Sequence, residues 1–330
     1  MGLTSHKYKY VSIYFLALLF LGIAVIESLH ISHTRDLQEG LRQQAKEDLS
    51  IVRFQLEAEI LGDIYTVKGL TTLLTLDPDL NIYQWEPLSA AVIRNSDHLR
   101  SLGIAPNDVV AFSYPLPQTN ALLGLDYRTV PQQWQSIKKA REIKQTFVSG
   151  PVDLVQGGRA LVIREPIFYD PPKDTRYWGV LSVVMDWDSL LSATSIYSFG
   201  EHFQVAIRGL DSRGSEGDVF FGEPRVFEHA FAQENVYFPY GSWRIAVAEK
   251  QDLLQQLSWY TRNAVRLLGY SVLLVLMAGF GVIMRLYQVA EERALHDPLT
   301  HLPNRAILSI PLNTTLKMLS ALIAKVTLLC

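Results

Sequence analysis

Two stretches of the chain are apolar almost from end to end, and the pattern between them changes period. The first, VSIYFLALLFLGIAVIESLHI, runs from Val11 to Ile31 behind His6, Lys7 and Lys9; the second, AVRLLGYSVLLVLMAGFGVIM, runs from Ala264 to Met284 and meets Arg285 at once and Arg293 soon after. Crossing the hydrocarbon layer of a bilayer takes about 20 mostly apolar residues. Both stretches are therefore expected to span, and Glu27 and Arg266 are tolerable because they lie near the ends, where side chains reach the headgroups. No small-x-small cleavage site follows the first stretch, which argues against a cleaved signal peptide. The positive-inside bias places Lys7, Lys9, Arg285 and Arg293 in the cytoplasm, although Arg262 and Arg266 on the other side weaken it. The expected layout is a cytoplasmic N-terminus at 1–10, a span at 11–31, one outward-facing domain at 32–262, a span at 264–284, a linker helix at 285–296 and a cytoplasmic segment at 297–330.

Beyond the first span the apolar positions Leu37, Leu41, Ala45, Leu49, Val52, Leu56, Ile60, Ile64, Val67 and Leu74 recur at steps of three and four, until Asp77-Pro78 stops them. This predicts a long amphipathic helix. Its spacing suits a helix packed along its own domain and equally a stalk pairing with a second copy. A second helical patch, YQWEPLSAAVIRNSDHLRSLGIA, follows. The texture then shifts to short runs rich in Val, Ile, Phe, Tyr and Trp, bounded by Gly, Pro, Asp and Asn: VVAFSYPL, FVSGPVDLV, ALVIREPIFY, YWGVLSVVMDW, FQVAIRGL, DVFFG and NVYFPYGSWRIAVAE. These read as strands, interrupted by one helix, VPQQWQSIKKAREIKQ. A long helix followed by a mainly antiparallel sheet with inserted helices is an α+β sensor architecture.

Composition narrows the chemistry. Lys and Arg number 30 against 33 Asp and Glu, so no excess of positive charge is available for a phosphate backbone, and nucleic acid is not an expected partner. A single cysteine, Cys330, leaves no internal disulfide framework and no Cys-based zinc site. His30 and His33 are too few ligands for a metal. DSRGSEGD puts Arg213 where a calcium loop wants an oxygen, and reads as a hairpin connection. Neither a Gly-rich phosphate loop with Lys nor a nucleophile elbow is present, so no cofactor and no metal is expected in this chain.

The stretch from Leu102 to Leu191 resembles a CHASE domain, an extracytoplasmic sensory module. It carries the Tyr-Pro strand at Tyr114, Asn120 with a following Gly-x-Asp, the basic helix with Ala140-Arg141, the Gly150-Pro151 strand, and Gly157-Gly158 before a strand ending in Pro166. The resemblance implies a PAS-like sheet behind a long helix that binds a small ligand. Candidate ligand-binding residues are Tyr114, Asn120, Asp126, Arg159, Arg164 and Trp178. The arginine pair would suit a carboxylate or phosphate through bidentate hydrogen bonds, with Tyr114 and Trp178 as pocket walls. Each also has a structural alternative: Asp126 as a turn cap, Arg164 in an ion pair, Trp178 as core filling.

Near the end stands ALHDPLTHLPNRAIL. Asp297-Pro298 reads as an N-cap followed by proline at the first helical position. A phosphoacceptor histidine belongs in mid-helix, so the proline two residues beyond His296 argues against a histidine-kinase role. DPLTHLPNR resembles the opening of the GGDEF domain of diguanylate cyclases, with His301 where that family has glycine. The resemblance implies that Asn304 hydrogen-bonds a guanine base and that Asp297 and Arg305 hold the helix and loop. It also implies a truncated α/β GGDEF start, since that family's metal-binding acids lie further on and no Asp or Glu follows Asp297. Mg²⁺ and GTP are expected only for an intact GGDEF domain, and cyclase turnover is not expected from this chain. The expectation is a bacterial inner-membrane, multi-pass, homodimeric receptor with a periplasmic sensor controlling cyclic di-GMP output. A histidine-kinase or chemotaxis output, and a non-catalytic membrane scaffold, are the alternatives.

Overall fold

The computed structural model describes residues 2–76, 82–116, 120–153, 158–250 and 253–295. The chain divides into two compact units, one taking residues up to Asp36 and from Leu257 onward, the other Leu37–Gln256.

The larger unit is built on helix α1, Gly2–Leu76, from Leu37 onward. Its face of Ala45, Leu49, Val52, Leu56, Ile60, Ile64, Val67, Leu70 and Leu74 is buried in one continuous core. Each fully buried Leu or Ile contributes roughly 1.5–3 kcal/mol, and the run of them makes α1 the spine of the unit. After helix α2, Ile82–Arg94, come strands β1, Leu99–Pro106, and β2, Phe112–Tyr114. Helix α3, Pro131–Ile143, precedes β3, Phe147–Asp153, β4, Arg159–Phe168, and β5, Tyr177–Asp186. These five strands form an antiparallel sheet in the order β2-β1-β5-β4-β3.

Two short helices, α4, Trp187–Ser192, and α5, Ile196–His202, lead to a second antiparallel sheet. It comprises β6, Phe203–Arg208, β7, Val219–Phe221, β8, Ala232–Tyr237, and β9, Ser242–Glu249, in the order β7-β6-β9-β8, with α6, Val226–His229, between β7 and β8. Residues of both sheets share the core that α1 lines. Polar ties fix the spine to the second sheet, Arg42 to Glu249 at 2.8 Å and Arg53 to Glu234 at 2.8 Å.

The patch Tyr83–Ala105, read above as helical, is corrected: α2 ends at Arg94 and Leu99–Pro106 is a strand between β2 and β5. The Ser96 hydroxyl oxygen accepts from the amides of His98 and Leu99 at 3.0 and 3.1 Å, which turns the chain out of the helix. A short apolar run has no decisive period of its own, and pairing with β5 settles it. The segment NVYFPYGSWRIAVAE is likewise two strands, β8 and β9, turned at Gly241. There φ is 78°, and a Cβ would lie 2.1 Å from the Ser212 carbonyl oxygen, so only glycine fits.

The smaller unit pairs the first part of α1 with helix α8, Ala264–Leu295, which follows the short α7, Trp259–Arg262. Both long helices contain a stretch long and apolar enough to cross a membrane. Large apolar side chains stand outward, Phe20 73% and Leu274 69% exposed, as a lipid-facing surface requires. Small residues let the helices approach: a Cβ at Gly22 would come within 2.8 Å of Leu273, and one at Gly269 within 2.9 Å of Ile26.

Candidate ligand-binding site

The register of β4 against β5 sets Arg164 opposite Ser182, so both side chains leave the sheet on one face. Helix α3 covers that face, burying Ile137 with Ala105, Val110, Tyr127 and Val180 in a small satellite core. Arg164 lies inside this layer, only 3% exposed. Its Nη1 donates to Ser182 Oγ at 2.6 Å, its Nε to Ser136 Oγ at 3.2 Å and its Nη2 to Gln133 Oε1 at 3.4 Å. Its guanidinium carbon sits 5.3 Å from the centre of the Tyr127 ring.

All of these partners are neutral. Among the described residues no carboxylate lies within 4.0 Å of Arg164. Burial therefore presses its pKa below the ordinary arginine value, yet a guanidinium keeps its charge in a protein. Taking an unpaired charge out of water costs several kcal/mol even after relaxation. Hydrogen bonds from a charged donor return only about 1.5–3 kcal/mol each. An incoming anion would supply the missing charge.

Beside this group, the Tyr177 hydroxyl donates to Asp108 Oδ1 at 2.6 Å, and the Asp108 carbonyl accepts from the Tyr127 amide at 3.0 Å. Burial first, and the Asp108 hydrogen bond second, push the Tyr177 phenol upward. The Arg141 guanidinium lies over the outer side of the Tyr177 ring, 4.4 Å from its centre. The layer thus holds a charged arginine, two tyrosines and small hydroxyls between the sheet and α3. Its buried cation meets only hydroxyl, amide and ring groups.

The residues singled out in the sequence fall apart in space. Asp126 caps the turn Tyr127–Thr129 through the Arg128 amide at 2.9 Å and grips the Arg128 side chain with two bonds of 2.8 Å. Those Arg128 bonds hold its carboxyl below the usual range. It positions Tyr127 over Arg164 without touching the arginine. Arg159 does not meet Arg164: its Nη1 donates to the Phe220 carbonyl at 3.1 Å, and its guanidinium lies 5.8 Å from the Trp187 ring centre. The pair offered for one carboxylate is therefore divided between different surroundings.

Trp178 is buried in the main core, edge-on to Trp85 at 6.4 Å, and Tyr114 packs against that same core. Asn120 stands in the short turn Asn120–Leu122, and Asn304 lies outside the described residues. Tyr127, Gln133, Ser136, Tyr177 and Ser182 are the partners that sequence reasoning missed. The one available signal was a serine set inside the otherwise apolar run VLSVV of β5.

Comparison with known proteins identifies this part of the molecule. The family model described as CHASE domain matches residues 83–221, so a CHASE domain is present there, wider than the Leu102–Leu191 stretch noticed in the sequence. Among solved structures, the chain is similar to an extracellular ligand binding receptor from Desulfohalobium retbaense, at 14% identity and a TM-score of 0.48, covering 62% of this chain but only 40% of that one. It is similar to the ligand-binding domain of the Pseudomonas aeruginosa amino acid chemoreceptor PctC in complex with GABA, at 14% identity and a TM-score of 0.47, over 65% of this chain and 100% of that one. The sensory domain of the Campylobacter jejuni chemoreceptor Tlp3 matches at 11% identity and a TM-score of 0.47, over 67% and 98% of the two chains. No curated protein matches the chain.

Proposed function

We propose that this chain is a receptor of the bacterial inner membrane whose CHASE domain, on the periplasmic side, holds a small carboxylate-bearing solute at Arg164 and relays its presence inward along α1 and α8. The observation that carries this reading is the buried guanidinium with only neutral partners. In it, the ligand's carboxylate displaces Gln133, the longest of the three contacts at 3.4 Å, and forms the charge-assisted bond the site lacks. The next residue on β4, Glu165, supports a route outward: it is buried, accepts from the Thr146 hydroxyl and feels the charge of Lys68 on α1. A ligand shifts the receptor only by its differential affinity for two arrangements.

A homodimer fits the exposed seam of α1. Ile51, Phe54, Ala58, Gly62, Tyr65, Gly69, Leu73 and Leu76 follow one another at steps of three and four on the face turned from the core, and nothing lies within 4 Å of a Cβ built at Gly62 or Gly69. The output in this reading is a GGDEF diguanylate cyclase making cyclic di-GMP, supported by DPLTHLPNR at the cytoplasmic end.

The test is a thermal-shift screen of the full chain in nanodiscs against the L-amino acids and short carboxylic acids. At least one acid is expected to raise the melting temperature, and Arg164→Gln to abolish the rise. A hit that survives Arg164→Gln, or no hit in the panel, would sink the assignment. Cyclic di-GMP levels in cells expressing the receptor, altered by the same acid, test the output.

A further inference from the structure

A concavity of about 950 Å³ lies in the CHASE-bearing unit, within the 300–1,000 Å³ typical of small-molecule sites. One wall is α3 and the start of β3; the other is the β6–β7 connection and the β8–β9 hairpin. Lys139 and Arg244 line it, and neither has a carboxylate within 4.0 Å among the described residues. Lys139 Nζ lies 4.9 Å from the centre of the Tyr240 ring. Arg244 Nε donates to Asn235 Oδ1 at 3.1 Å, which orients the fork while leaving its terminal nitrogens for an acceptor.

The acids of the lining do not neutralise these cations. Asp211 Oδ1 accepts from the Ser149 hydroxyl and the Gly150 amide, both at 2.8 Å, and so serves as a strut between the two sheets. Glu216 stands exposed. The third cation of the lining, Arg213, is drawn outward to Asp218 at 3.7 Å. The aromatic pair Phe147 and Tyr240, with ring centres 6.1 Å apart, provides an apolar surface in the same cleft.

We infer that this cleft is a second ligand site, separate from Arg164, which takes a small organic acid with a flat apolar body. The acid is met by Lys139 and Arg244, and the body rests on Phe147 and Tyr240. Two unneutralised cations select an anion, one oriented guanidinium prefers a planar carboxylate, and the rings favour a flat partner. Ser136 lines this cleft and also accepts from Arg164 Nε at 3.2 Å. An occupant here is therefore coupled to the Arg164 layer through one helix, and the coupling is reciprocal.

The probe is sodium benzoate, with benzamide as its uncharged counterpart of the same shape, titrated onto the full chain in nanodiscs by saturation-transfer NMR. Benzoate is expected to bind about tenfold more tightly than benzamide, the equivalent of one charge-assisted contact. Arg244→Gln and Lys139→Gln are each expected to weaken benzoate by about tenfold, more than Arg164→Gln, which reaches the cleft only through Ser136. Arg244→Lys is expected to fall between, since it keeps the charge and loses the fork. If Arg244→Gln does not fold, Lys139→Gln on the half-buried helix face carries the test. Absence of benzoate binding, equal binding of benzamide, or binding that follows Arg164 instead of Arg244 would overturn the second site. The last of these outcomes leaves the Arg164 reading standing.

Discussion

Glu27 and Arg266, 239 residues apart in the chain, meet in a two-pronged contact: Nε donates to one carboxylate oxygen at 3.0 Å and Nη2 to the other at 2.6 Å. The Tyr270 hydroxyl donates to the first oxygen at 2.6 Å. Charged groups this near the end of a span persist when each satisfies the other. The pair ties the first span to the second within one chain.

Removing either partner leaves the other charge stranded, so Glu27→Ala and Arg266→Ala are each expected to loosen the span pair, and the double substitution to cost less than their sum. The expected coupling is about 0.6–1.7 kcal/mol, the range of polar contacts between membrane helices. Disulfide yield between cysteines placed at Gly22 and Leu273, which face each other at 2.8 Å from the built Cβ, reads the pairing. Strictly additive losses would show that the two residues act independently.

Asp63 on α1 is 7% exposed, and one of its carboxylate oxygens has no partner among the described residues. Burial raises its pKa above the ordinary 3.8, against the opposing pull of the Ser96 hydrogen bond and of His98; Glu59 and Asp97 add to the rise. The folded state thus holds this proton more tightly than the unfolded chain. Its contribution to stability is complete below the ordinary aspartate value and is lost as pH climbs through the raised one. Asp63→Asn is therefore expected to melt about 2–4 °C higher than wild type at neutral pH, for about 1 kcal/mol of relief in a unit of this size, and to show no advantage below about pH 4. A variant less stable at both pH values contradicts this.

Trp243 is fully buried and stands edge-on to Phe238, Phe220 and Trp187 at 4.8, 5.0 and 5.9 Å. Its indole nitrogen has no acceptor among the described residues. Since the N–H contributes no bond, Trp243→Phe is expected to cost only about 1–2 kcal/mol, whereas Trp243→Ala costs about 3–5 kcal/mol through the cavity it opens. Thermal unfolding followed by circular dichroism distinguishes the two. Equal losses would reveal a partner for the indole nitrogen.

The seam on α1 gives a test of self-association. Tyr65, 67% exposed, lies between Gly62 and Gly69, and Tyr65→Glu would face its own copy across a pair of helices. Dimer content, read by light scattering of the detergent-solubilised receptor, is expected to fall at least tenfold in affinity, about 1.4 kcal/mol for a like-charge contact at the seam. A cysteine at Gly62 is expected to cross-link to the same position of a second chain. An unchanged mass for Tyr65→Glu, or no cross-link, would show that this seam does not mediate self-association.

Much of the scaffold was legible because its signals are local. The steps of three and four from Leu37 to Leu74 describe the buried face of α1 wherever that helix packs, and the two apolar stretches are long enough to show themselves by composition. The strand β1 was not legible: Leu99–Pro106 has the apolar content of a helix segment, and only hydrogen bonding to β5 decides between them. Arg164 was visible as a candidate, but its surroundings were not. Gln133, Ser136, Tyr127 and Ser182 come from three segments whose meeting depends on the register of β4 with β5 and on α3 closing over the sheet.

By itself, then, the order of residues determined which segments shun water, how often they do so along the chain, and hence the two membrane-length helices and the long amphipathic spine. Tertiary structure alone decided which arginine is buried without a counter-charge, because burial and the neutrality of neighbours belong to the folded surroundings of a side chain and not to its type. The same cause separated Arg159 from Arg164: side chains alternate across a strand, and the fold assigns each face a different neighbour.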